Sequence, residues 1–339
     1  MQAVSAVSQR SAARDIQRRI KQVIACVDRS AHAEKVVLHA LAIARAMRVP
    51  VTLLQVLDTP SNHDFPLDPI EWNIRRHESR DSLKRLAEAR ADAAEDIDAE
   101  LIEGKTAEEI CRWARERSAE MIVLGTHGER EAEEYGIGST VRDVLKRAEG
   151  NVLLVPVFTA SARIPRYRRI LVPLDGSSWS ESVLPLAVRL AHAADAELIL
   201  AYVVPVPELI ETDPLEAEDL ELRRRLIDRN ERVARSYLDR VRGYATERGL
   251  KVRALTLRGD DIRSSLTKFI GGERVDLVVL SARGHGGTRV SDVPYGNVAA
   301  YLITHSPVPI LIVRPTGAYR DLHTATKREA GRLPVRPIV

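Results

Sequence analysis

Val23-Ile-Ala-Cys-Val-Asp28 is a short apolar run closed by an aspartate, and Ile170-Leu-Val-Pro-Leu-Asp175 repeats it in the second half of the chain. Each copy leads into a serine-bearing turn and then into apolar residues at helical spacing. These are Val36, Val37, Ala40, Leu41, Ala44 and Met47 in the first copy, and Val183, Leu184, Ala187, Leu190 and Ala191 in the second. Val51-Thr-Leu-Leu-Gln-Val56 and Leu198-Ile-Leu-Ala-Tyr-Val-Val204 read as buried strands. A long charged helix follows in each half, at about 67–93 and 215–247, and then strands at 100–103 and 252–257. Thr106 starts another helix, with Glu109 completing a capping box and Ile110 and Ala114 on its buried face. Strands at 121–124 and 277–280, one more helix, and strands at 152–155 and 310–313 close the halves.

Each half therefore reads β-α-β-α-β-α-β-α-β. Near-continuous apolar strands alternating with helices predict parallel sheets covered on both faces. The fold class is α/β, with two tandem doubly wound five-stranded parallel sheets. The expected organisation is an N-terminal extension over 1–18, a first domain over 19–158, a second over 168–316 and a tail over 317–339 without clear period. Between the domains, Ser161, Pro165 and Arg163, Arg166, Arg168 and Arg169 mark a linker.

Composition narrows the function classes. The 339 residues suit two domains, and 45% hydrophobic with 29% charged residues argues against general disorder. Aromatics are only 4%, so the cores are expected to be Val, Ile, Leu and Ala. With 51 basic against 48 acidic residues and no aromatic interleaving, nucleic acid is not an expected partner. Cys26 and Cys111 cannot build a disulfide framework, which points to a reducing compartment, the cytoplasm. No apolar run reaches the ~18 residues of a membrane span, and the N-terminus lacks a signal-peptide core, so no membrane association is expected.

The chemistry sits at the ends of the first and fourth strands of each half, where an open parallel sheet binds its ligands. Asp28 ends strand one. Strand four runs into Gly125-Thr126-His127-Gly128, and nine residues separate Gly128 from Gly138-Ser139-Thr140 at a helix start. Glycines let backbone amides approach an anion. The helix N-terminus adds unpaired amides and a favourable dipole, and Ser139 and Thr140 add hydroxyl donors. Asp28 would accept hydrogen bonds from ribose hydroxyls, and Val56 would offer its backbone to a base edge. The combination reads as a nucleotide site. A lone G-x-x-G would be a turn and nothing more.

These residues resemble the universal stress protein family over about 20–157 and again over about 168–315. The resemblance implies a sheet of order 3-2-1-4-5 in each half. For members of the ATP-binding subgroup it implies adenine nucleotide held by this motif. The residues it singles out are Val27, Asp28, Val56, Gly125, Thr126, His127, Gly128, Gly138, Ser139 and Thr140. It also implies dimerisation through the last strand. Two copies on one chain would satisfy that internally, with 152–157 facing 308–314, and a further homodimer stays open.

The second half departs from the pattern. Asp175 and Val203 are retained, but Ser281 replaces the first glycine, eleven residues separate Gly284 from Gly296, and Asn297 stands in place of the serine. That site is read as degenerate or altered. In the first half, Glu129, Glu131, Glu133 and Glu134 outnumber Arg130 between the glycines. Either this loop arches into water, or Mg²⁺ accompanies the phosphates, or AMP or ADP is preferred to ATP. His63, Asp64 and Asp68 read as a polar loop before a helix, not as a metal site. Cys26 and Cys111 read as small core residues. The leading expectation is a stress-response sensor or regulator that signals nucleotide occupancy to an unknown protein partner. The alternative is an interaction scaffold of the same fold that binds no nucleotide. No general base is positioned, so no catalytic residue is named and at most slow ATP hydrolysis is expected. An ATP-cleaving ligase ranks last, because Asp28-Arg-Ser-Ala-His32 lacks the glycines such a loop needs.

Overall fold

The apolar runs form strands and the amphipathic runs form helices, in the same order twice. In this computed structural model the described residues are 21–59, 68–89, 97–128, 136–157, 163–206, 217–246, 249–282 and 295–314. The first repeat holds β1 (Val23–Cys26), α1 (Ala33–Met47), β2 (Val51–Asp58), α2 (Pro69–Glu88) and β3 (Ile97–Gly104). It continues with α3 (Thr106–Glu116), β4 (Met121–Gly125), α4 (Ser139–Arg147) and β5 (Asn151–Val155). The second holds β6 (Arg169–Leu174), α5 (Ser178–Glu181), α6 (Leu184–Ala194), β7 (Glu197–Pro205), α7 (Ala217–Thr246) and β8 (Val252–Gly259). It closes with α8 (Ile262–Gly272), β9 (Leu277–Ser281), α9 (Asn297–His305) and β10 (Ile310–Val313).

Both repeats have the strand order 3-2-1-4-5. They are joined edge to edge into one ten-stranded sheet, β3-β2-β1-β4-β5-β10-β9-β6-β7-β8. Pairing within each repeat is parallel. The single antiparallel step is β5 on β10, with Val152 opposite Ile312, Leu153 opposite Leu311 and Leu154 opposite Ile310. Of the expected pairing of 152–157 with 308–314, residues 152–154 pair with 310–312 within the chain.

Successive residues of a strand face opposite sides, so a strand buried on both faces must be apolar throughout. Val23, Ala25, Leu53, Val123, Leu153 and Leu311 lie in one core with residues of α1, α2, α6 and α7. Ile24, Leu54, Ile122, Leu154, Ile310 and Ile312 lie in the other, with residues of α3, α4, α8 and α9. Each core draws on both repeats.

Three local features differ from expectation. No capping box forms at Thr106, because the cap position falls on Lys105, which makes no side-chain cap bond. Glu109 is drawn instead to the Arg112 guanidinium on the next turn. The helix expected at Val183–Ala191 forms as α6, but the serine-bearing turn before it adds a short helix of its own, α5, kept separate because Pro185 in the first turn of α6 has no N–H to continue an earlier helix. The segment before β6 is also more than a tether. Tyr167 is buried and its hydroxyl lies 2.8 Å from Nδ1 of buried His39 on α1. The Arg168 and Arg169 amides both donate to Asp276 Oδ2, at 2.8 and 2.9 Å. The extension over 1–18 and the tail over 317–339 lie outside the described residues.

Candidate functional site

β1 and β4 are neighbours, and their C-terminal ends carry the motif residues to one point of the sheet edge. After β1 the chain adds one more sheet bond, Val27 N–H to the Leu54 carbonyl at 3.0 Å, and then turns at Asp28. One Asp28 carboxylate oxygen accepts from the Ser30 amide at 3.0 Å, and the Ser30 hydroxyl accepts from the His32 amide at 3.3 Å. Short side chains of this kind fix a turn by bonding to the backbone two residues on. The turn delivers the chain into α1 with His32 at the cap position.

β4 ends at Gly125. The buried Thr126 donates its amide to the Val155 carbonyl at 3.0 Å and accepts from the Gly138 amide at 2.9 Å. This second bond ties the start of α4 to the turn, so Ser139 and Thr140 in the first turn of α4 are held beside Gly125–Gly128. The segment 129–135 lies outside the described residues.

The two glycines of the turn are there for space. A Cβ on Gly128 would stand 3.0 Å from Asp28 Oδ2, and one on Gly125 would stand 3.2 Å from the His127 carbonyl. The space beside the Gly128 Cα therefore abuts the Asp28 carboxylate, and a side chain at 128 would fill it. The turn and the N-terminus of α4 thus present backbone amides beside the Asp28 carboxylate. Val56 lies on β2 beyond the last residue paired with β1, and is partly buried on the same face as Cys26.

Two nitrogen-bearing side chains that the sequence reading did not single out, Lys35 and His32, belong to this corner. Lys35 Nζ donates to the Val157 carbonyl at 2.8 Å. His32 is held below the ordinary histidine range by burial and by positive Lys35, with Asp28 opposing and His127 adding to the depression. Among the described residues, His32 Nδ1 and His127 Nε2 are buried without a hydrogen-bond partner. The available signal was His32 at a position where Ser, Thr, Asp or Asn would cap a helix.

The second repeat repeats the frame with different fittings. Gly296 donates its amide to the Ala282 carbonyl at 2.9 Å, as Gly138 does to Thr126, and Asn297 opens α9. One Asp175 oxygen accepts from both the amide and the hydroxyl of Ser177, at 2.9 and 2.6 Å. Ser281 and Val203 are buried, and Gly284 lies outside the described residues.

Burial pushes the thiols of Cys26 and Cys111 up, away from a reactive thiolate, and both are free. Among the described residues no group of His, Cys, Asp and Glu is placed to hold a metal ion. Asp68 caps α2 by accepting from the Ile70 amide at 2.8 Å, while His63 and Asp64 lie outside the described residues. Among the described residues no helix is long and apolar enough to cross a membrane.

A parallel sheet of order 3-2-1-4-5, with a glycine turn at the switch point between β1 and β4, defines a doubly wound α/β protein built twice on one chain. The profile of the universal stress protein family matches residues 19–156 and again 166–314, and the chain belongs to that family. A universal stress protein of Methanocaldococcus jannaschii is 30% identical over 149 residues, covering 44% of this chain and 82% of the relative. One from Mycolicibacterium smegmatis is 23% identical over 300 residues, covering 86% of this chain and 97% of the relative, so it too spans both repeats. The crystal structure of a universal stress protein from Archaeoglobus fulgidus superposes with a TM-score of 0.63 at 16% identity, covering 88% of this chain and 98% of that one.

Proposed function

We propose that the first repeat binds an adenine nucleotide (ATP, ADP or AMP) and that occupancy serves as a stress-response signal to a protein partner in the cytoplasm. One observation carries this reading: the Gly138-to-Thr126 bond holds the α4 N-terminus beside a turn whose Gly128 leaves open the space next to Asp28. The ribose meets Asp28. The phosphates meet the amides of the glycine turn and the first turn of α4, with the Ser139 and Thr140 hydroxyls. Mg²⁺ accompanies a triphosphate there, offsetting the acidic stretch Glu129–Glu134. We take the two domains as 19–158 and 168–316, with one such frame in each.

The second repeat is a structural and interaction half. What favours this is Asp175, whose oxygen is taken up by the Ser177 hydroxyl at 2.6 Å, with a serine side chain at 281 where the first repeat has glycine.

The test is to denature purified protein and identify any released nucleotide by mass, then titrate the emptied protein with ATP, ADP and AMP by calorimetry, with and without Mg²⁺. One nucleotide per chain, lost in Gly128→Ala, is expected. No binding of any of the three, or binding indifferent to Gly128→Ala, overturns the reading. Two per chain overturns the assignment of the second repeat.

A further inference from the structure

We propose that His32 is the charge-reading residue of the first repeat's site. It takes up a proton as the phosphates arrive, so the nucleotide is held more tightly as the pH falls through neutral. This rests on the reading that the first repeat binds an adenine nucleotide. Four titratable groups meet at the corner where α1 leaves the sheet edge. Asp28 comes from the turn after β1, His32 and Lys35 from the start of α1, and His127 from the glycine turn, and the other three all act on the charge of His32. A Cβ on Gly125 would stand 3.6 Å from Val36, one helical turn on from His32, so this face of α1 lies against the glycine turn itself.

The corner is short of positive charge. Asp28 and Lys35 offset one another. Burial and then Lys35 keep the proton off His32 at neutral pH, with His127 adding to this and Asp28 opposing it. Arg29 is spent on Glu78 of α2 at 2.9 Å, and Lys35 Nζ sits on the Val157 carbonyl and not on a carboxylate. A phosphate monoester brings about 1.5–2 negative charges at pH 7. An opposite charge within ~4–6 Å moves a pKa toward the charged form by about 1–3. The corner alone favours the imidazole, and a phosphate beside it favours the imidazolium.

Hydrogen bonding gives His32 no other task. Nδ1 of His32 and Nε2 of His127 are buried and, among the described residues, have no partner, whereas buried polar atoms nearly always have one. The other His127 nitrogen lies 3.1 Å from Thr126 Oγ1 inside the glycine turn. A residue needed only to start α1 would be Ser, Thr, Asp or Asn, and His32 stands at the cap position without making a side-chain cap bond.

The second repeat supplies a comparison within the same chain. Counting from Asp28 and Asp175, Val36, Ala40 and Ala44 fall on Val183, Ala187 and Ala191, and the left-handed Arg48 falls on the left-handed Asp195. In that register Trp179 takes the place of His32 and Ser182 that of Lys35. Neither carries a charge, and the Ser182 hydroxyl is taken by the Trp179 carbonyl at 2.6 Å. The aspartate and its serine turn are kept. The repeat that has Ser281 for the first glycine thus also lacks the two groups able to answer a phosphate's charge from the start of this helix.

Calorimetric titration of the full chain with ATP, ADP and AMP tests this, run from about pH 8 to 5.5 in paired buffers of unlike ionisation enthalpy so that the protons bound with the nucleotide are counted. The phosphate's own ionisation near pH 6 is common to all variants. The informative quantity is therefore the difference between wild type and His32→Asn, whose new side chain can cap α1. Wild-type protein is expected to take up protons on binding. Its affinity should gain on that of His32→Asn, by up to about tenfold per pH unit, as the pH falls below 7.5. Adenosine, which carries no phosphate, should bring no proton with it. Nucleotide binding by the wild type without proton uptake overturns the proposal whatever the variant does, and so does an uptake that His32→Asn retains in full; either leaves the nucleotide reading standing. A wild type that binds none of the three nucleotides overturns both.

Discussion

Leu153 and Leu311 are the same residue of the two repeats, and they pair with each other. Leu153 sits beside Val123 of β4 and Leu311 beside Val279 of β9, each two residues before the last residue of its strand, and around them Val152 faces Ile312 and Leu154 faces Ile310. The repeats are therefore related by a local two-fold axis that passes between these leucines, perpendicular to the shared sheet. Both are fully buried, in a core that runs through both halves. The junction is thus interior and not a surface where two domains touch.

Unfolding is accordingly expected as one calorimetric transition and not two. Leu311→Ala should cost about 2–5 kcal/mol, as for other fully buried leucines, and should lower that single transition. Because the two side chains share one site, Leu153→Ala/Leu311→Ala should depart from the sum of the single effects. Two resolved transitions in the wild type would show that the halves are energetically separate.

His39 and Tyr167 supply a pH dependence. His39 is 2% exposed and Tyr167 3%, and burial depresses the His39 pKa from 6.5 to about 4. The unfolded chain binds that proton more tightly than the folded one. Stability is then fully present above pH 6.5 and is lost as the pH falls from 6.5 toward 4, by up to about 3 kcal/mol at ~1.36 kcal/mol per pKa unit. Urea midpoints at neutral and mildly acid pH measure it. His39→Leu should remove this part of the acid loss, whereas Tyr167→Phe should keep it and cost about 1–3 kcal/mol at neutral pH through the partner it leaves unpaired.

The sequence made the repeat legible because both strand faces are buried, and burial on both faces writes itself as unbroken apolar runs such as Leu198–Val204. The strand order followed from the family resemblance. The adjacency of Asp28 to Gly128 followed from topology, since neighbouring parallel strands end at the same edge. Features set by single contacts were not legible. Whether Glu109 turns back to a cap or forward to Arg112 depends on where the first turn of α3 begins. The docking of Tyr167 on His39 joins residues 128 positions apart, and nothing local to either announces the other. His32 and Lys35 reach the candidate site because α1 starts there, which required the turn geometry after Asp28.

Gly128→Ala separates room from fold. Its methyl would meet Asp28 Oδ2 at 3.0 Å, closer than carbon and oxygen tolerate without a shift. The carboxylate is a short side chain already bonded to the Ser30 amide, so the shift is resisted. Nucleotide affinity should fall at least tenfold, about 1.4 kcal/mol, with little change in melting temperature. In Gly128→Ala/Asp28→Ala the crowding is gone but the ribose acceptor is gone too, so affinity should stay low. Recovery of wild-type affinity in the double variant would show that Asp28 makes no contact with the ligand.

The edges of the sheet carry one ion pair written in both polarities. In the first repeat Arg76 of α2 reaches Glu103 of β3 at 2.6 Å. In the second, Glu231 of α7 takes the Arg258 guanidinium of β8, one of its two bonds measuring 2.8 Å. The register of β3 and β8 makes Glu103 and Arg258 equivalent residues, so the charges have been exchanged across the local two-fold. If attraction alone matters, either polarity should serve. Arg258→Ala should lower the denaturant midpoint only modestly, because the guanidinium is exposed and screened and Arg235 still faces the same carboxylate. Glu231→Arg should cost more, since it sets two cations together beside a helix that is already basic. Glu231→Arg/Arg258→Glu should recover most of that loss by recreating the first repeat's arrangement. Denaturant midpoints of the four proteins close the cycle. A double variant no more stable than Glu231→Arg would mean that the helix tolerates only the acid at 231, and that the Arg235 pair at 3.3 Å on the same carboxylate, not Arg258, fixes the polarity.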